Sequence, residues 1–256
     1  MKQVQELDIR DYLQRFHGDE CDLLRFPGNY GDALIWHGTQ HILSHVGLNF
    51  RTIDCTTKPT RRMLIIDGGG NLVDLYSDVE KFLDFHGQSY SKVIVLPHTI
   101  TGVGPLACLG RLGGRLTVFC RERISYMGVR ASLPRAEVYL WHDCAFYVPT
   151  YPTIQSEGWR TDTLHAFRTD VESISRQLPN GNRDLSLEGY AMSSLDLMFR
   201  VLQGYKQVVT DRLHIAIASA LLGCEVDLHP NSYYKNWAVY DYSLRRYTNV
   251  HFSTKS

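Results

Sequence analysis

The chain carries no excess charge of either sign: across 256 residues, 27 Lys and Arg face 27 Asp and Glu. Bulk electrostatic attraction to nucleic acid or to an anionic membrane is therefore not expected. No apolar run approaches the roughly 20 residues that a bilayer crossing needs. The opening MKQVQELDIRDYLQRFHGDE is charged throughout and contains no apolar signal region, which predicts a cytoplasmic protein with at most peripheral membrane contact. Cys21, Cys55, Cys108, Cys120, Cys144 and Cys224 are widely spaced without a CxxC pair, and most lie in or beside apolar runs, as reduced core thiols do. There is no HExxH, no GxGxxG and no P-loop, and no internal repeat or low-complexity tract. Neither a metal nor a cofactor is expected.

What is present is the composition of an ordinary globular protein, long enough for two compact α/β domains or one large one. Short apolar runs read as strands over Cys21–Phe26, Phe50–Asp54, Arg62–Asp67, Val93–Leu96, Leu116–Cys120 and Val138–Trp141. Amphipathic stretches read as helices over Asp8–Phe16, Ala33–Val46, Leu75–Phe85 and Leu106–Leu112. Arg62–Asp67 is nearly continuously apolar, as expected for a parallel strand covered on both faces. Alternating strands and helices imply a largely parallel, doubly wound sheet. At Val148–Trp159 prolines and polar residues replace periodic structure, which places a boundary between a domain over residues 1–148 and a second over 149–256. The second half restarts with a strand at Thr163–Phe167. A loop over Arg176–Ser186 and a helix over Met192–Leu202 follow, then a strand at Cys224–Leu228 and a last helix over Trp237–Leu244.

The stretch around which the chain is organised is Lys206–Leu222, KQVVTDRLHIAIASALL. Lys206–Val209 reads as strand, Thr210 as the helix cap, and Ile215–Leu222 as a helix without a polar face, hence buried. Its first turn nevertheless carries Arg212 and His214. A cation there opposes the helix macrodipole by roughly 0.3–1 kcal/mol. An anion seated between Arg212 and the helix end would reverse that penalty. The plainer reading is that Arg212 pairs with a carboxylate and His214 packs against the sheet.

Other loops fit the same two readings. Pro27-Gly28-Asn29-Tyr30-Gly31-Asp32 is a strand–glycine loop–helix junction, with Asn29 and Asp32 as cap residues. Gly68-Gly69-Gly70-Asn71 reads as a loop at the carboxyl end of a parallel strand, where ligands of such sheets sit. His37, His41 and His45 form one helical stripe, but without a third ligand a packing or polar role is the simpler assignment.

Taken in order, several segments resemble the polysaccharide pyruvyl transferase family. They are Gly28–Asp32, Ile66–Asn71, Leu96–Ile100, Arg121–Ser125, Asp143–Phe146, Arg168–Asp170, Thr210–His214 and Ser232–Asn236, spread over nearly the whole chain. His98 stands where glutamine is common in that family. The resemblance implies two Rossmann-like domains in a GT-B-like arrangement with an interdomain cleft. It also implies transfer of the pyruvyl group of phosphoenolpyruvate to a sugar as a cyclic ketal, in the making of a cell-surface polysaccharide or its lipid-linked precursor.

Such a donor carries a phosphate and a carboxylate and needs fixed cations. The candidates are Arg121, Arg123, Arg212 and Lys235, with Arg121 matching the family's arginine. A proton must reach the donor's methylene carbon, and His214, matching the family's histidine beside Arg212, is the expected general acid. A helix N-terminus and neighbouring arginines should disfavour its charged form until an anionic donor binds. Asn29, Gly31, Asp32, Gly68, Gly69, Gly70, Asn71 and His98 are the loop and acceptor-side candidates. Asp32, Asp67 and Glu122 are the possible bases, and Asp143 reads as structural. Two other functions remain open on the same residues: a GT-B-type glycosyltransferase using a nucleotide sugar, and a non-catalytic saccharide-binding protein of polysaccharide assembly.

Overall fold

The structure, a computed structural model, describes residues 4–149, 161–174 and 177–253. The chain divides into two compact units, Met1–Phe26 with Gly38–Tyr147 and Pro27–His37 with Val148–Ser256. The segment Pro27–His37, grouped with the first half in the sequence reading, is thus counted with the second unit. Of the expected linker, residues 150–159 lie outside the described residues, as does Arg176 of the Arg176–Ser186 loop.

The first unit contains β1 (Glu20–Leu24), β2 (Asn49–Ile53), β3 (Met63–Ile66), β4 (Gly69–Leu72), β5 (Lys92–Ile100), β6 (Leu116–Cys120) and β7 (Glu137–Leu140). Its helices are α1 (Ile9–Leu13), the second half of α2 (Tyr30–His45), α3 (Asp78–His86), α4 (Val103–Gly110) and α5 (Arg123–Ser132). The strands run β2-β1-β3-β5-β6-β7, every pairing parallel, with β4 also on β5. Leu23, Leu24, Leu64, Ile65, Ile66, Val93, Ile94, Val95, Val118 and Phe119 are fully buried, which is why these strands read as unbroken apolar runs. The second unit contains β8 (Thr161–His165), β9 (Tyr205–Thr210), β10 (Glu225–Leu228) and β11 (Val250–Phe252), with α6 (Asp196–Gln203), α7 (Leu213–Leu221) and α8 (Lys235–Tyr242). Its sheet runs β11-β10-β9-β8, again wholly parallel. Both units are therefore parallel α/β structures of the Rossmann-like kind.

Several local expectations are corrected. Gly68–Asn71 is not a loop closing off a strand. β3 pairs with the first half of β5, and β4 continues along the same side, with Gly69 opposite His98 and Leu72 opposite Ile100. Gly69 holds φ at +154°, which residues with a side chain rarely adopt, and this lets the chain return to the ladder after Asp67. β5 correspondingly runs past Leu96 to Ile100. Pro97, which has no N–H to give, falls where the register with β6 shifts between Val95 and His98.

Thr210 is not the cap of α7 but the last residue of β9. Its Oγ1 donates to Ala166 O at 2.6 Å and accepts from Arg212 N at 2.9 Å, leaving Arg212 at the cap position. α2 starts at Tyr30 rather than Ala33, because Asn29 Oδ1 accepts from Gly31 N and Asp32 Oδ2 accepts from Asn29 N, a reciprocal capping box. α6 starts at Asp196 rather than Met192, since Ser193 Oγ accepts from Tyr190 N in a preceding turn and Ser194 Oγ accepts from Asp196 N at the helix start. β11, three residues long, carries no recognisable pattern and was not expected.

Candidate functional site

In the second unit every strand points the same way, so the segments following β8, β9 and β10 emerge at one sheet edge. That is where parallel sheets place their ligands. They bring Arg168, Asp170 and Glu172, then Asp211 and Arg212, then Asn231, Lys235 and Asn236. Arg212 is held on two sides: Nε and Nη2 grip both oxygens of Asp184 at 2.8 and 2.6 Å, and Nη1 reaches Asp170 Oδ2 at 2.7 Å. Arg168 grips Asp170 in the same two-pronged way, at 2.7 and 3.0 Å, and reaches Glu172 Oε2 at 2.7 Å. Glu172 Oε2 also accepts from Asn231 Nδ2 at 3.1 Å and pairs with Lys235 Nζ. The backbone is tied in too, with Arg168 N on Asp211 Oδ1 at 2.7 Å and Asn236 Nδ2 on the carbonyls of Asp211 and His229.

Arg168, Glu172, Arg212 and Lys235 are all buried. Charges this far from water persist only when paired and hydrogen-bonded. Burial alone would raise the Asp170 carboxyl, but the hydrogen bonds from Arg168 and the charges of Arg168 and Arg212 outweigh it and hold it down to about 2. For Arg168, burial works against the charged form, and its hydrogen bonds to Asp170 with the charge of Glu172 more than compensate.

His214 follows Arg212 by two residues, at the first turn of α7, and is half-buried. It lies against the first turn of α2: a Cβ added to Gly31 would stand 2.7 Å from His214 Nδ1 and 3.0 Å from Asn29 Oδ1. Gly28 is constrained by the same cap, its would-be Cβ falling 2.0 Å from Asp32 Oδ2. Gly28, Asn29, Gly31 and Asp32 thus fold as one knot, with Asn29 and Asp32 occupied in the capping box and Gly31 in touch with the histidine.

The remaining candidates belong to the first unit. Arg121, directly after β6, is fully buried, its Nε on Thr99 Oγ1 at 2.9 Å and its Nη1 on Asp143 Oδ2 at 2.8 Å. Arg123, the first residue of α5, is exposed. His98 is fully buried between β4 and β6. Burial first, then the positive charge of Arg121, push its imidazole down to about 3. The ring is therefore neutral. Nδ1 lies 3.1 Å from Leu96 O, which can only accept, so Nδ1 carries the hydrogen. Nε2 is then a bare acceptor; Asn71 Oδ1 stands 2.7 Å from it, so the Asn71 amide must be flipped, its NH2 taking the place of that oxygen, for the contact to be a hydrogen bond.

The carboxylates considered as bases all have structural partners. Asp67 accepts from Thr39 Oγ1 at 2.7 Å and from Gly68 N at 2.8 Å. Glu122 caps α5 through Ile124 N and Ser125 N, while burial raises its carboxyl. Of the histidine stripe, His37 Nε2 contacts Ser193 O at 3.3 Å, and His41 and His45 are exposed.

The structure thus gathers Arg212, His214, Lys235, Asn29, Gly31 and Asp32 within the second unit, and Arg121, Arg123, His98, Asn71 and Gly68–Gly70 within the first. Glu172, Asp184, Asn231 and the role of Asn236 escaped the sequence reading. Asp184 sits 28 positions from Arg212 in an irregular segment, where no periodicity marks it. Arg168-Thr169-Asp170 was visible as a motif, but nothing in its spacing announced the pairing to Arg212. Among the described residues no helix is long and apolar enough to cross a membrane.

A family model described as polysaccharide pyruvyl transferase matches residues 29–226. A Bacillus subtilis (strain 168) protein named "Putative pyruvyl transferase EpsO" is 25% identical over 257 residues, spanning 82% of this chain and 80% of its own length. The crystal structure of KP1_0663, a functionally uncharacterized protein from Klebsiella pneumoniae subsp. pneumoniae NTUH-K2044, superposes with a TM-score of 0.84 at 32% identity, covering 96% of this chain and 97% of the other.

Proposed function

The chain belongs to the polysaccharide pyruvyl transferase family, and from that premise we propose that it transfers the pyruvyl group of phosphoenolpyruvate to two hydroxyls of a sugar as a cyclic ketal, with His214 as general acid. The acceptor is a saccharide of a cell-surface polysaccharide or its lipid-linked precursor, modified on the cytoplasmic side. Arg212 and Lys235 of the second unit are the donor-site cations, and the resemblance implies Arg121 and Arg123 as further ones. The observation that carries this reading is the seat of His214 in the first turn of α7, two residues after Arg212, at the carboxyl edge of a parallel sheet.

His214 gives a proton to the methylene carbon of the enol phosphate, which becomes a methyl group and leaves an oxocarbenium-like centre at the neighbouring carbon. One sugar hydroxyl attacks that centre and loses its proton. The carbon–oxygen bond to phosphate then breaks with its electron pair going to phosphate, and the second hydroxyl closes the ring and loses its proton. Two protons leave the sugar; one restores His214 and the other ends on the phosphate. Because Arg212 is already gripped by Asp184 and Asp170, the donor takes its place by exchanging with a carboxylate. Of the two first-unit candidates, Arg121 is sealed against Asp143, whereas Arg123 is exposed.

The test is release of inorganic phosphate from phosphoenolpyruvate in the presence of a panel of hexosides, with mass spectrometry for the added pyruvyl group. Phosphate should appear only with an acceptor, and His214→Ala should abolish it. Near-normal turnover in that variant, or transfer from a nucleotide sugar instead, would refute the assignment.

A further inference from the structure

Gly31 is the second residue of α2, where an L side chain is conformationally welcome, yet the position is buried and filled from outside. The space a methyl group would take is occupied by the Nδ1 edge of the His214 imidazole at 2.7 Å, its Cβ at 3.2 Å and Asn29 Oδ1 at 3.0 Å. None of these can retreat cheaply. Asn29 is held by its bond to Gly31 N inside the capping box, and His214 Cβ is anchored in the first turn of α7, whose neighbours Leu213 and Ile215 are buried. The ring thus lies against the start of α2 with its Nδ1 side toward Gly31 and Nε2 on the other side of the ring.

We infer that Gly31 is a positioning residue for His214: its missing side chain is the slot that fixes the plane of the imidazole, so that Nε2 is the nitrogen presented to the reactants. The inference deepens the proposed function and rests on it for its catalytic consequence, though the slot can be tested without any turnover. A misplacement of about 1 Å at the reacting group costs about a hundredfold in rate.

Gly31→Ala gains helix propensity but must displace the His214 ring or the Asn29 side chain, so a folded variant with a somewhat lowered melting temperature is expected. Gly128→Ala, a helical glycine of α5 with nothing within 4 Å of its would-be Cβ, is the control. In histidine-labelled protein, the His214 ring resonance, identified by its loss in His214→Ala, should shift in Gly31→Ala and stay put in Gly128→Ala. An unmoved resonance in Gly31→Ala overturns the slot. With phosphoenolpyruvate and an acceptor, Gly31→Ala should lose about a hundredfold in kcat with little change in the KM for phosphoenolpyruvate. The double variant with His214→Ala should be no slower than His214→Ala alone. If His214→Ala is inactive while Gly31→Ala turns over normally, the positioning role is wrong and the general acid stands. If His214→Ala is itself active, the general-acid reading fails, and the resonance alone decides whether the slot exists.

Discussion

His98→Gln should flatten the acid side of the stability curve. The folded chain holds the His98 imidazole near 3, against an ordinary 6.5, because the ring is fully buried and faces the Arg121 guanidinium. Below pH 6.5 the unfolded chain takes up a proton at this residue and the folded chain does not. The unfolded state therefore binds more protons, and folding stability falls as pH drops from 6.5 toward 3, with a limiting slope of about 1.4 kcal/mol per pH unit. Between pH 7 and 4.5 the residue alone withdraws about 2–3 kcal/mol. Above pH 7 it withdraws almost nothing.

Glutamine does not titrate. Its amide can donate to Leu96 O and meet the Asn71 amide in place of the ring, so the local hydrogen bonds keep partners. Urea unfolding at half-unit intervals from pH 7.5 to 4.5, followed by fluorescence and far-ultraviolet circular dichroism, gives the difference curve. Any constant offset from altered packing is common to every pH, so the slope of the difference is the readout. The two proteins should differ by about 2–3 kcal/mol more at pH 7 than at pH 4.5, to the advantage of wild type at pH 7. Parallel curves would mean that the imidazole is not held neutral, and the hydrogen-bond directions assigned to Leu96 and Asn71 would go with it.

Other perturbations report on the second unit and on the thiols. Asp170→Asn should remove stability that is present above pH 3.8 and lost as pH falls through about 2. Since Asp170 is partly exposed, the contribution at neutral pH is about 1–2 kcal/mol, read from melts at pH 2–5. Gly28→Ala should displace the Asp32 carboxylate from the cap and cost about 1–2 kcal/mol. Asp32→Ala should cost the same, and the pair together should cost less than the sum in a urea cycle. Of the six cysteines only Cys55 is not buried, and burial pushes the thiols of Cys21 and Cys108 up to about 12, so an aromatic disulfide reagent at pH 8 should find one fast thiol in the native protein. Rapid reaction of a second would contradict that burial.

The central strands of the first unit were legible because a parallel strand buried on two faces leaves an unbroken apolar run, as Met63–Ile66 and Leu116–Cys120 do. The buried character of α7 followed from its lack of a polar face, and every residue from Ile215 to Ala220 is buried. Gly68–Asn71 misled because glycine signals both a loop and a strand that must bend. Only the pairing of β4 with β5, a contact 28 or 29 positions away, distinguishes them. Thr210 misled because its hydroxyl does accept a bond from Arg212 N, as a cap would, while its backbone stays in the ladder opposite Leu228. Asp32 was legible as a cap since the capping box is written in four consecutive residues. The partners of Arg212 were not, because ion pairs between loops leave no period in the chain.

The two readings of Arg212 offered by the sequence, a paired structural arginine and an anion-binding one, are not exclusive. At the sheet edge Arg168, Arg212 and Lys235 face Asp170, Glu172, Asp184 and Asp211, so three positive groups meet four carboxylates. A cluster with that balance offers no surplus charge to an incoming anion. Unpaired, however, three buried cations would be costly to fold, each carrying a desolvation penalty of several kcal/mol. A protein that must fold without its donor and still grip an anion needs carboxylates as placeholders. Asp184 holds Arg212 in the two-pronged geometry that a carboxylate or phosphate of the donor would adopt. In the proposed reaction, donor affinity is then the difference between two similar sets of charge-assisted bonds. It is set less by how many cations line the site than by how readily Asp184 yields.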